Sequence, residues 1–131
     1  MYFKTNQPYF LNNNCYGYRI DTEPKRAIAY IIGGPIAPDI RGSIVFTQVH
    51  GGTEVFVEVN GLPSYKSAQN GNSQVGPFGF HIHENGVCEI GNNAEPFTSA
   101  GGHWNPTNQP HGNHAGDFPV LFSNNGYARM T

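Results

Sequence analysis

An all-β fold is predicted by the turn-forming composition of the chain and by the pattern of its apolar residues. The 131 residues include 17 glycines and 10 prolines, and 13% of them are aromatic. Apolar, β-branched runs of strand length alternate with glycine- and proline-rich breaks. No stretch repeats its apolar residues with the period of an amphipathic helix. We therefore expect one domain of short strands joined by many turns, since this length suits a single hydrophobic core.

The charge balance excludes some classes of partner. Seven Lys and Arg residues face nine Asp and Glu residues, which gives a net charge of −2. A nucleic acid is not an expected partner, because binding to a phosphate backbone requires a basic surface.

No apolar run is long enough to cross a bilayer, and the first residues lack the apolar centre of a secretory leader. As written, the sequence predicts a soluble, cytoplasmic chain without a membrane partner.

The first 25 residues differ in composition from the rest of the chain. They are rich in Tyr, Asn and Pro and show neither helical nor strand periodicity. We interpret residues 1–25 as a loosely ordered N-terminal arm whose aromatic side chains could pack onto the domain. Residues 26–131 are the predicted domain itself.

Three strands are predicted in the first half of the domain. Residues 27–32 and 43–49 are apolar, β-branched runs, and we expect them to be neighbouring antiparallel strands. Residues 53–59 alternate, with valines on one face and glutamates on the other. This alternation predicts a strand with one buried face and one solvated face.

The second half of the domain is predicted to contain more loop than strand. Residues 64–77 are polar and rich in Gly, Asn and Ser, which indicates a long loop. Residues 78–83 have a strand pattern, whereas residues 84–114 have no periodic run and predict a long functional loop or disorder. Residues 118–122 and 127–130 flank a Ser-Asn-Asn-Gly turn, and together they predict a hairpin.

Histidines are concentrated between residues 80 and 117. Five of the six histidines of the chain lie in this window. His81 and His83 are two residues apart in a predicted strand, so their side chains should point to the same side and form half of a metal site. A pair of this kind is weak evidence by itself, because exposed strands also carry unrelated histidines.

A second group of residues gives stronger evidence for a metal. It offers three imidazole nitrogens and one carboxylate oxygen, the ligand number and type of a closed tetrahedral zinc site. Its members are His103, His111, His114 and Asp117. If His103 lies between the two groups, each of its ring nitrogens can bind one metal, and this residue would couple the two sites.

Four other residues have ordinary interpretations. His50 lies in a turn before two glycines and is expected to be a solvated loop residue. Trp104 is expected to be a packing anchor beside the site. Cys15 and Cys88 lack the spacing of a cysteine-based zinc motif. They allow one intramolecular pairing, and Cys88 could also be a thiol whose partner lies elsewhere.

Three motifs in the histidine-rich region resemble the copper,zinc superoxide dismutase family. They are Gly-Phe-His-Ile-His-Glu at residues 79–84, Thr-Ser-Ala-Gly-Gly-His-Trp-Asn-Pro at 98–106, and His-Gly-Asn-His-Ala-Gly-Asp-Phe-Pro at 111–119. The arrangement around Cys88, soon after the His-Ile-His motif, is similar to the bacterial branch of the family. The resemblance covers residues 26–131.

The resemblance implies a fold, a pair of cofactors and a reaction. The fold would be a flattened Greek-key β-barrel or sandwich with a long metal-binding loop. The cofactors would be copper and zinc, and the substrate, superoxide, would be converted into oxygen and hydrogen peroxide at a copper site bridged to zinc. By position, the copper ligands and catalytic residues would be His81, His83 and His103, and the zinc ligands would be His103, His111, His114 and Asp117.

The chain also differs from the family pattern. In the family, a fourth copper histidine, a carboxylate behind the metal ligands, a guiding arginine and a second disulfide cysteine come from a segment beyond the position of Thr131. We therefore expect a truncated dismutase with incomplete C-terminal strands, in which Cys88 lacks its family partner. Copper would be held less tightly, and exposed strand edges would allow a homodimer.

Two other functions are compatible with parts of the pattern. The main alternative is a non-catalytic, dismutase-like module that holds zinc and binds copper weakly or not at all. This alternative is considered because only three of the four family copper ligands are present. A zinc hydrolase is a weaker alternative. The predicted zinc ligands already fill a tetrahedral site, and no carboxylate is placed as a general base.

Overall fold

The computed structural model describes residues 3–5 and 25–131 and shows an antiparallel all-β fold, as predicted. The rest of the arm, including Cys15, lies outside the described residues. The strands are β1 (Phe3–Thr5), β2 (Arg26–Ile32), β3 (Arg41–Val49), β4 (Gly52–Asn60), β5 (Gly91–Asn92), β6 (Glu95–Pro96) and β7 (Ala128–Met130). The main sheet has the order β1-β2-β3-β4-β7, and β5 and β6 form a separate two-stranded ladder.

Strands β2, β3 and β4 form an antiparallel meander, which confirms the three strands predicted here. The register pairs Ala29 with Ile44 and Ile44 with Val57, so buried side chains of the three strands lie in one row. A two-residue turn at His50 and Gly51 joins β3 to β4, and Gly51 has a φ of 80° that suits glycine. His50 is exposed in this turn, as expected of a solvated loop residue.

The hydrophobic core lies against one face of this meander. Phe80 is fully buried there and stacks on Phe118, with ring centroids 4.7 Å apart. Burial of a side chain of this size contributes about 1.5–3 kcal/mol. Because Phe80 directly precedes His81, the core fixes one end of the histidine-rich segment. The buried cluster consists of Ala29, Ile31, Ile44, Val57, Val59, Leu62, Phe80, Leu121 and Ala128.

Residues 78–83 are not a regular strand, so that prediction is wrong. Three of these residues make single β-bridges, to two different parts of the chain. The pairs are Phe78 with Leu121, His81 with Asp117, and His83 with His103. A continuous ladder does not form because the backbone hydrogen bonds of this segment are divided between residues 116–121 and residues 102–104.

The predicted C-terminal hairpin is also wrong, although its turn is correct. Asn124 and Tyr127 exchange two backbone hydrogen bonds of 2.8 and 3.0 Å, and the two residues between them have positive φ angles of 51° and 84°. Beyond the turn the two arms separate. Residues 118–121 bond to residues 78–80, whereas β7 pairs with β4 and buries Ala128. The two arms therefore pair with different parts of the chain instead of with each other.

The long loop from residue 84 to residue 114 contains little regular structure, in keeping with its missing periodicity. Its regular elements are β5, β6 and a 3-10 turn at Thr98–Ala100. Ala100 is only 1% exposed and anchors the loop shortly before His103. In the part of the chain that the structure describes, there is no helix with the length and apolarity needed to span a membrane.

Of the N-terminal arm, the structure describes β1, which pairs with β2. Lys4 lies opposite Tyr30 in this ladder. The described sheet is open, with β1 at one edge and β7 at the other.

Candidate metal centre

Three backbone segments meet in a closed ring of hydrogen bonds. The N–H of Ile82 donates to the carbonyl of Gly116 (2.8 Å), that of Trp104 donates to Ile82 (2.8 Å), and that of Gly116 donates to Trp104 (2.9 Å). Each member of the ring directly adjoins a predicted metal ligand. Those ligands are His81, His83, His103 and Asp117. The ring thus brings residues from distant parts of the sequence to one place.

Gly116 has no room for a side chain in this ring. It is buried, and a Cβ atom would lie 2.6 Å from the carbonyl oxygen of Ile82 and 3.1 Å from the Cβ of Trp104. Glycine allows the close approach of the backbones. Sequence reasoning missed this role, and the available signal was the glycine directly before Asp117.

The imidazole of His103 lies at the centre of the histidine cluster. It stacks on the ring of His81 with a centroid distance of 3.9 Å. Its centroid is 5.3 Å from that of His83 and 5.6 Å from those of both His111 and His114. This central position is the one that a ligand shared between two metal sites would need.

The carboxylate of Asp117 connects several of these rings. Its Oδ1 accepts a hydrogen bond of 2.7 Å from Nδ1 of His103, and its Oδ2 accepts bonds of 3.1 Å from the backbone N–H groups of Gly112 and His114. Oδ1 also lies 3.5 Å from Nδ1 of His81, and Oδ2 lies 3.3 Å from Nδ1 of His114. The loop backbone therefore orients a carboxylate toward three imidazoles.

The local environment favours an ionised Asp117 and a neutral His81. Partial burial acts to raise the pKa of Asp117, but hydrogen bonds from His114 and His103 outweigh it and leave this pKa below its ordinary value. Burial lowers the pKa of His81, and the positive charge that His103 can carry lowers it further. A carboxylate and a neutral imidazole are the protonation states that bind a metal.

His83 is oriented by the loop backbone. Its Nδ1 lies 3.0 Å from the carbonyl oxygen of Gly101. Because a carbonyl oxygen can only accept, Nδ1 must carry the proton and donate it. The lone pair of the neutral ring is then on Nε2.

The residues present fit a bound metal. Nδ1 of His81 and Nδ1 of His114 are buried and have no hydrogen-bond partner among the described residues, because the nearby carboxylate oxygens of Asp117 do not meet them with hydrogen-bond geometry. Buried polar atoms are normally paired, and a cation between these nitrogens and the carboxylate would satisfy them. Two sets of three residues each have ligand atoms that lie within 4.8 Å of one another inside the set. One set is His81, His103 and Asp117, and the other is His103, His111 and His114.

The structure brings all six predicted ligands into one region but groups two of them differently from the sequence analysis. Asp117, expected with zinc, lies close to His81 as well as to His114. His83, expected with copper, is outside both compact sets, although its ring is 5.3 Å from that of His103. His103 belongs to both sets. The metal that each set binds stays a prediction.

Trp104 is not the packing anchor that the sequence suggested. Its side chain is 45% exposed. Its contribution to the site comes instead from its backbone, which both donates and accepts in the hydrogen-bond ring. The prediction relied on the large apolar surface of tryptophan, but a tryptophan side chain packs in the core only where it faces the core, and tryptophan is seldom completely buried.

Known proteins with similar sequences share this region. A sequence model of the family described as copper/zinc superoxide dismutase (SODC) matches residues 40–131. The chain is 35% identical over 95 residues to the superoxide dismutase (Cu-Zn) of Deinococcus radiodurans, an alignment that covers 63% of this chain and 46% of that relative. It is 34% identical over 93 residues to the superoxide dismutase (Cu-Zn) of Escherichia coli K12, with 64% and 47% covered.

A eukaryotic relative is also similar. The extracellular superoxide dismutase (Cu-Zn) of Mus musculus is 31% identical over 94 residues, which cover 70% of this chain and 33% of that relative. The chain thus spans less than half of the length of each of these three relatives. No solved structure gave a significant match.

The family match and the geometry coincide in the chain. Residues 40–131 contain the three predicted motifs, the hydrogen-bond ring and all five clustered histidines. The matched region is more than half of the sequence. This chain therefore belongs to the copper/zinc superoxide dismutase family.

Proposed function

We propose that the protein converts superoxide into oxygen and hydrogen peroxide at a copper site joined to a zinc site through His103. The observation that carries this proposal is the position of the His103 ring, whose centroid lies 3.9 to 5.6 Å from those of four other imidazoles. Membership of the family supports it, and the similar proteins are named as copper-zinc superoxide dismutases.

The ligand types support a division of the cluster between two metals. Imidazole nitrogens suit copper, and three imidazoles with one carboxylate suit zinc. Bound copper would supply the one-electron redox chemistry, and bound zinc would hold the shared imidazole in place. We assign copper to His81, His83 and His103, and zinc to His103, His111, His114 and Asp117.

Groups of the chain itself orient the ligands. Gly101 fixes the tautomer of His83 by accepting from its Nδ1. In the metal-free chain, a hydrogen bond of 2.7 Å from Nδ1 of His103 to the carboxylate of Asp117 orients the His103 ring. The side chains of His81 and His103 are 29% and 20% exposed, so the cluster is accessible to a small anion.

The test is superoxide consumption by the full chain after loading with copper and zinc. A double variant, His81→Ala with His83→Ala, should lose the metal-dependent rate. His50→Ala removes a histidine in the turn between β3 and β4 and should keep the wild-type rate, since that residue is outside the cluster. Equal rates for the double variant and the wild-type chain would overturn the proposed catalytic site.

A further inference from the structure

The segment that contains His83 is joined to the segment before His103 by a short backbone ladder. The N–H of Glu84 donates to the carbonyl of Gly102, and the N–H of Asn85 donates to that of Ala100, each over 3.0 Å. This ladder sets the distance between two imidazoles that the proposed function assigns to copper.

The side chain of Glu84 adds a second contact to the same peptide. Its Oε2 accepts a hydrogen bond of 3.3 Å from the backbone N–H of Gly102. Glu84 therefore holds both the N–H and the carbonyl of Gly102, the residue directly before His103. The carboxylate also lies against Gly101, because a Cβ atom added there would be 3.0 Å from Oε2.

The glycines explain why such a contact matters at this point. Gly101 and Gly102 have no side chains to pack, and Gly101 has a positive φ of 74°. A pair of glycines has more backbone freedom to lose than other residues, so the position of His103 depends on what its neighbours bind. A hydrogen bond to a carboxylate is stronger than one between neutral groups.

We infer that Glu84 is a positioning residue that sets the spacing of His83 and His103 and thereby supports copper binding more than zinc binding. The inference rests on the proposed function, because it takes these two histidines as copper ligands. The zinc side has further contacts, since Asp117 is held by the N–H groups of Gly112 and His114 and itself accepts from Nδ1 of His103.

The experiment measures copper and zinc affinities of the full chain by competition with chelators. Glu84→Ala should weaken copper binding about fivefold, the loss expected for one exposed hydrogen bond, and should leave zinc affinity within about twofold. Glu84→Gln should restore part of the copper affinity, because its amide oxygen can accept from Gly102 but carries no charge. Glu89→Ala, which removes a charge of the same sign from the same loop, should bind both metals as the wild-type chain does.

A second measurement addresses the contact without any metal. In the metal-free chain, the amide of Gly102 should exchange its hydrogen faster in Glu84→Ala than in Glu84→Gln. Unchanged copper affinity in Glu84→Ala, or equal losses of copper and zinc affinity, would overturn the positioning role. A wild-type chain that takes up no copper would instead overturn the proposed function, and the exchange of Gly102 would still show whether the contact exists.

Discussion

His103 is the residue on which the candidate metal centre depends most. Its ring contacts imidazoles from both sides of the cluster, and its Nδ1 bonds to the carboxylate of Asp117. The His103 ring is close to the ring of His81 and also to those of His111 and His114, so it connects the two parts of the cluster. Loss of this one side chain should therefore affect both metals.

We predict that His103→Ala will weaken the binding of both zinc and copper by more than about 100-fold. Residues that only support a ligand typically change metal affinity about 10- to 100-fold, and a direct ligand should change it more. Competition titrations of the full chain with each metal provide the measurement. His50→Ala is the matched control and should titrate as the wild-type chain does. A His103→Ala chain with wild-type zinc affinity would contradict the shared role of this residue.

Elements of this fold differ in how far the sequence could predict them. Strands β2 to β4 pair with their neighbours in sequence, so local apolar patterns suffice to find them. Residues 78–83 have a similar pattern, yet their partners come from distant loops, and local patterns contain no information about those. The same limit explains the misplaced hairpin, because a turn determines only the residues beside it.

The candidate site was more predictable in its candidate ligands than in its supports. Histidine spacing and one aspartate pointed to six candidate ligands, which the structure brings into one region, because metal ligation requires particular side chains. The ring of Ile82, Trp104 and Gly116 uses backbone groups, which every residue has. Backbone contacts of this kind cannot be recognised from the residue types, apart from glycine at the position where two backbones approach closely.

We predict that Gly116→Ala will lower the free energy of unfolding of the metal-free chain by about 1–3 kcal/mol, the usual cost of inserting an atom into a packed site. The new Cβ atom would lie 2.6 Å from the carbonyl oxygen of Ile82, so the ring must open. Zinc affinity should fall with it, because Asp117 follows directly. Urea unfolding and a zinc titration measure the two effects.

The control for this variant is Gly86→Ala, where no atom lies within 4 Å of the added Cβ and the exposed backbone can accept a side chain. This variant should match the wild-type chain in both measurements. If Gly116→Ala unfolds and binds zinc as the wild-type chain does, the ring does not position the ligands.

Removal of zinc should loosen residues 84–117 and leave β2 to β4 in place. The loop has little apolar surface of its own, and binding of a metal to its ligands contributes to the folding of such segments. We expect chelation to increase amide hydrogen exchange across this loop, with little change in the three strands. Equal protection of the loop before and after chelation would show that it is ordered without the metal.

At the scale of the whole molecule, the core and the candidate metal centre are joined along the chain at two places. Phe80 is completely buried in the core cluster, and His81 is the next residue. Phe118 stacks on Phe80 and directly follows Asp117. Packing of these two rings therefore sets the places where two ligand segments leave the core.

The homodimer expected from the sequence stays a prediction, which sedimentation over a range of concentrations would test.

We predict that Phe80→Ala will lower the free energy of unfolding by about 3–5 kcal/mol, the usual cost of this truncation in a core. Because the cavity would lie directly below His81, copper affinity should also fall in the variant that remains folded at low temperature. Urea unfolding of the metal-free chain gives the first quantity, and copper titration below the unfolding transition gives the second. Phe122→Ala is the matched control, since that ring is 72% exposed and should cost little. A Phe80→Ala chain that is destabilised as expected but binds copper as tightly as the wild-type chain would show that the site is positioned by its loops alone.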